Sequence, residues 1–128
     1  MIVTITKLDW SLNDDPPEGT VTFRTKSGNE YEAFSYNEFF KIGSEIEANI
    51  GGIYYHLSDE VIFSQNINHE LKLVKCTSNW EYEGYGQIKS IEPVIIDFGD
   101  IQLETGNWTK DIESIGKFVY WKIERLDW

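Results

Sequence analysis

Basic residues are scarce in this chain: 11 Lys and Arg stand against 22 Asp and Glu, for a formal charge of −11. The shortage is uneven, since no Lys or Arg occurs from Ile42 through Leu71. A field of that sign repels phosphate backbones and anionic bilayers, and it draws in cations and basic proteins. Neither nucleic acid nor a membrane is expected as a partner. Cysteine is nearly absent too. Cys76 stands alone, which excludes an intrachain disulfide and a Cys-rich metal framework. The two histidines, His56 and His69, match no metal-ligand spacing. No apolar run reaches the ~18 residues of a membrane helix, and Met1–Ile5 has no basic leader or small-residue cleavage signature. A cytoplasmic protein is expected.

Catalytic signatures are missing as well. There is no Gly-x-Ser-x-Gly elbow and no Gly-rich phosphate cradle. Asp97-Phe98-Gly99 spells the magnesium-binding tripeptide of protein kinases without the rest of that signature, and reads as a turn. Asn13-Asp14-Asp15 lacks the alternating acids and the glycine of a calcium loop. A two-carboxylate glycosidase is the enzymatic alternative that so many acids leave open. The expectation is a non-enzyme with no catalytic residue, no metal site and no cofactor.

Rings, by contrast, are plentiful: seven Phe, seven Tyr and five Trp. Aromatic side chains bury large areas and favour strands, so a few of them can anchor a β core. Alternating or β-branched runs fall at Ile2–Leu8, Thr20–Lys26, Glu30–Tyr36, Glu45–Ile50, Ile53–Leu57, Val61–Phe63, Leu71–Cys76, Tyr82–Ile91, Val94–Phe98, Ile101–Glu104 and Lys117–Leu126. Turn signals separate them: Ser27-Gly28-Asn29, Gly51-Gly52, Ser58-Asp59-Glu60 and Gly99-Asp100. Gly84 and Gly86 hint at a bulge or bend. Ser11–Gly19, with Pro16 and Pro17, is a loop. Ser35-Tyr36-Asn37-Glu38 fits a capping box for one helical turn carrying Phe39 and Phe40.

The expected fold is all-β: an antiparallel sandwich or partly open barrel of nine to ten short strands with one helical turn, in a single domain over 1–128. Val21–Ile50 can be laid on Val94–Ile123 without a gap, matching Val21, Ile42, Gly43 and Ile50 with Val94, Ile115, Gly116 and Ile123. Such an echo reads either as a pseudo-repeat of 1–57 and 84–128, or as the similarity of any two meanders with hairpins of like length.

Acids and rings meet most densely at Asn79–Gly86, where Trp80, Tyr82 and Tyr85 alternate with Glu81 and Glu83. Aromatics framed by carboxylates suit a contact with a basic protein, while the plainer reading puts Trp80 and Tyr82 in the core. The candidate binding set is Glu45, Glu47, Asp59, Glu60, Trp80, Glu81, Tyr82, Glu83 and Tyr85. Both faces of the last strand carry aromatics, so an exposed Phe118–Tyr120 patch would suit a homodimer. In size and charge alone the chain is similar to the immunity proteins with which bacteria block basic nuclease toxins. That likeness implies a protein-interaction module. The alternatives are a small-ligand or carbohydrate-binding β domain, with Trp and Tyr as a stacking platform, and a structural subunit of a homo-oligomer.

Overall fold

The computed structural model describes residues 1–10, 18–36 and 40–128. Half of the described residues lie in strands, and the sheet curls into a half-barrel. Ten strands are present among the described residues: β1 (Ile2–Trp10), β2 (Glu18–Arg24), β3 (Glu30–Tyr36), β4 (Glu45–Glu47), β5 (Gly51–Tyr54), β6 (Lys72–Lys75), β7 (Tyr82–Ser90), β8 (Ile95–Asp97), β9 (Gln102–Glu104) and β10 (Phe118–Asp127). The helical pieces are α1 (Asp59–Ser64) and a 3-10 turn at Ile112–Ser114. No described helix is long and apolar enough to cross a membrane.

The spatial order is β4-β1-β2-β3-β10-β7-β8-β9, with β5 pairing β10 and β6 pairing β7 off that path. One four-strand course is traced twice. In each pass three consecutive strands meander, and a fourth returns to lie beside the first: β4 beside β1, then β10 beside β7. That is a Greek-key path. The ungapped echo lays β2, β3 and β4 over the positions of β8, β9 and β10. Every ladder is antiparallel except one. Where the passes meet, β3 and β10 run parallel through a single residue pair, Phe34 and Asp127.

Strand alternation builds the core. Val3 and Ile5, Val21 and Phe23, Tyr31 and Ala33, and Val119, Trp121 and Ile123 point inward from their strands and are buried. Each of the Val, Ile and Phe side chains among them contributes about 1.5–3 kcal/mol of burial. Register shifts between Ile5 and Lys7, between Ile88 and Ser90, and between Ile123 and Arg125 supply the local bends that let the sheet curl.

Several local readings need correction. Gly51-Gly52 does not reverse the chain; both glycines lie in β5 opposite Asp127 and Leu126. A Cβ on Gly52 would stand 2.9 Å from the Arg125 carbonyl oxygen and 3.0 Å from the Tyr54 ring, so the residue is needed for space. Gly84 and Gly86 mark no bulge, since pairing runs unbroken through both. Their missing side chains admit the Phe98 ring and Ile96, which an added Cβ would meet at 2.4 Å and 2.6 Å. Ser58-Asp59-Glu60 is not a hairpin turn: Ser58 caps α1, and Val61–Phe63 is helical. The serine Oγ accepts from the Val61 N–H, and two acids in the first turn complement the helix dipole. Ile62 carries α1 into the core. Ser35 and Tyr36 close β3, while the remainder of the supposed capping box, Asn37-Glu38, and the Phe39 after it lie outside the described residues, as do Asn13-Asp14-Asp15 and most of the Ser11–Gly19 loop.

The connector after α1 is held by one side chain. Asn66 is buried, and its amide nitrogen donates to the carbonyls of Glu70, Gly86 and Val119 at 3.0, 3.3 and 3.1 Å. Its Oδ1 accepts the Glu70 N–H at 2.8 Å. One residue thereby fastens a polar loop to the β7–β10 ladder.

Candidate interaction face

The inward set of β7 leaves Glu83, Tyr85 and Gln87 pointing outward, and the inward set of β10 leaves Phe118, Tyr120 and Lys122. Cross-strand register brings these into pairs: Glu83 faces Lys122, and Tyr85 faces Tyr120. Lys122 Nζ lies 3.5 Å from Glu83 Oε1, 3.8 Å from Cys76 Sγ and 5.9 Å from the Tyr55 ring centre. Tyr55 follows β5 and donates its hydroxyl to Glu81 Oε2 at 2.7 Å. The rings of Tyr85 and Tyr120 are 5.4 Å apart and inclined at 64°. Lys72 Nζ lies over Tyr85 at 5.1 Å and pairs with Glu70 at 2.5 Å. His69 stacks on Phe118 with centroids 4.3 Å apart. The outward face is thus a half-buried aromatic strip edged by carboxylates and two lysines.

Its electrostatics favour neutral hydroxyls. Desolvation and then the Glu83 carboxylate raise the Tyr120 hydroxyl well above its usual range. The hydrogen bond to Glu81 raises Tyr55. Burial raises the Cys76 thiol, with Lys122 opposing it, so the sulfur is held as a thiol and not as a nucleophilic thiolate. Among the described residues no group of three His, Cys, Asp or Glu side chains is placed to hold a metal ion.

The nine candidate residues do not form one surface. Glu81, Glu83 and Tyr85 belong to the strip. Glu45 and Glu47 lie on β4, with β1, β2, β3 and β10 between them and β7 in the sheet. Asp59 and Glu60 head α1. Tyr82 is not a surface anchor. It is 2 % exposed, and its hydroxyl accepts the Glu32 N–H at 2.8 Å and donates to the Glu32 carbonyl at 3.2 Å. Trp80 sits in a turn at φ 63, half-buried against Phe34, with its indole N–H donated to Thr20 Oγ1 at 2.8 Å. Trp80 therefore joins the two passes of the sheet. Sequence reasoning left out Tyr55 and Lys122; the outward parity of Lys122 on the last strand was a readable signal, whereas nothing local places Tyr55 beside Glu81.

No protein-family model, curated protein or solved structure matches this chain.

Proposed function

We propose that the protein is a non-enzymatic, cytoplasmic interaction module that captures a basic protein partner; a bacterial immunity protein neutralising a basic nuclease toxin is the form of this reading that agrees with its size and charge. The state of its carboxylates carries the reading. None of the described Asp or Glu residues is buried. Five of them, Glu32, Glu47, Glu70, Glu83 and Asp127, meet a cation, and the other described carboxylates carry their charge without one. Such a surface speeds encounter with a positively charged protein and repels negatively charged ones. The Tyr85–Tyr120 strip adds the aromatic area on which protein contacts concentrate their energy.

A sugar platform is disfavoured, because these two rings meet edge to face and Lys72 already covers Tyr85. A homo-oligomer built on Phe118 is disfavoured too, since His69 lies flat on that ring. The test is capture of basic proteins from lysate at low salt, release at high salt, and measurement of the on-rate of the released protein. Replacing the exposed and unpaired Glu45, Glu60 and Glu124 with lysine is expected to slow association about tenfold at low ionic strength and to flatten its salt dependence. An on-rate equal to that of the parent protein, or retention of no basic protein at low salt, would sink the proposal.

A further inference from the structure

β5 and β9 lie alongside one another without a ladder between them, and the Tyr54 hydroxyl bridges them by donating to the Glu104 carbonyl at 3.2 Å. Beside that bridge a groove of about 610 Å³ opens, within the range of cavities that accept small ligands. Gly51, Gly52 and Gly106 leave parts of its lining bare of side chains, and the half-buried rings of Tyr54 and Trp128 line it as well. Two carboxylates border it, and they differ. Asp127 is already held by Arg125, whose Nε and Nη2 donate to its two oxygens at 2.6 and 3.2 Å. Glu104 is exposed and meets no cation among the described residues.

Two rings and an unpaired carboxylate around one slot form a receptor for a flat cation. A guanidinium stacks on an aromatic face and forks onto a carboxylate, whereas an ammonium does only the second as a point charge. We propose that the groove between β5 and β9 receives an arginine side chain of the basic partner, stacked against Tyr54 or Trp128 and paired with Glu104. The inference rests on the reading of the protein as a receptor for a basic partner, and it names where one side chain of that partner goes. The field of the slot agrees with it: burial, then Asp127 and Glu104, push the Tyr54 hydroxyl up to about 12.

The probe is a synthetic peptide of about ten residues alternating Arg and Ser, titrated at low salt where surface charge is least screened. Amide and indole NMR shifts report the site, and a Lys-for-Arg version of the peptide serves as the comparison. The largest shifts are expected at Gly51, Gly106 and the Trp128 indole. Glu104→Gln is expected to weaken binding about tenfold, and the lysine peptide to bind several-fold less well than the arginine peptide. Gly51→Leu fills the slot from a position where an added Cβ meets nothing within 4 Å, and is expected to abolish those shifts. Glu30→Gln with Glu113→Gln removes two exposed charges elsewhere and is expected to change affinity less than about twofold. Binding that survives Gly51→Leu or Glu104→Gln, or that falls equally with the Glu30 and Glu113 pair, overturns the groove while leaving the basic-partner reading intact. Failure of every basic peptide to bind at low salt overturns both.

Discussion

At the scale of single residues, the molecule is organised by what is missing as much as by what is present. The phenylalanine ring at 98 and the isoleucine at 96 occupy space that side chains at 84 and 86 would otherwise fill. Gly86→Ala would put its methyl 2.6 Å from Ile96 Cγ2 and 2.7 Å from the Asp97 carbonyl oxygen, one of which is backbone and cannot swing away. The substitution is expected to destabilise the fold by about 1–3 kcal/mol, as over-packing does elsewhere. Gly51→Ala, with nothing within 4 Å of its new carbon, is expected to change stability by less than about 0.5 kcal/mol. Urea titration of the two variants beside the parent protein checks the contrast; equal midpoints would contradict the account of the core.

At the scale of elements, the weak point is the junction of the two four-strand passes. β3 and β10 share one parallel pair, and the Trp128 N–H adds a bond to the Phe34 carbonyl at 2.9 Å. Side chains do the remaining joining. The Tyr82 hydroxyl satisfies both backbone groups of Glu32, Lys75 pairs with Glu32 at 3.3 Å, and Arg125 stacks 4.3 Å over the Phe34 ring. At the far hairpins, Asp100 accepts from Asn29 and from the Tyr31 hydroxyl, each at 2.7 Å. Tyr82→Phe strips Glu32 of its partners and is expected to cost about 1–3 kcal/mol near neutral pH. Burial raises the Tyr82 and Tyr54 hydroxyls from 10.0 to about 12. In that window the unfolded chain has already released protons that the folded one still holds, so stability is whole below pH 10 and falls as pH climbs toward 12. Tyr82→Phe is expected to make this alkaline fall shallower, read from melting temperatures across the window. An unchanged slope would remove Tyr82 from the explanation.

At the scale of the whole molecule, charge opposes compactness. Eleven uncompensated negative charges repel one another across the surface, and cations pair with only a minority of the described carboxylates. Raising the salt from low to physiological concentration is therefore expected to raise the melting temperature, with each 1 kcal/mol of relieved repulsion worth roughly 4 °C. A melting temperature that falls with added salt would mean that the surface ion pairs outweigh the repulsion. The same charge, aimed outward, is what the proposed capture of a basic partner uses.

Period and composition alone determined that this chain is all-β, where most of its strands run, and that its surface is anionic. Alternation in strands such as Glu30–Tyr36 and Phe118–Asp127 is a local property, legible without neighbours. The echo of Val21–Ile50 in Val94–Ile123 is local in the same way, and it reads either as a pseudo-repeat or as two meanders with hairpins of like length. Tertiary structure decided the rest. Ser58 caps a helix because Ile62 finds the core, and Gly51-Gly52 stays extended because β10 offers it a ladder. Tyr82 went inward and Tyr85 outward by parity, yet which carboxylates share a face depended on strand order. Glu45 and Glu83 belong to like-patterned strands, and only the Greek-key path sets four strands between those they occupy. Non-local pairing has no signature in local sequence, and for that reason the aromatic strip and the groove became visible only once the strand order of the curled sheet was in place.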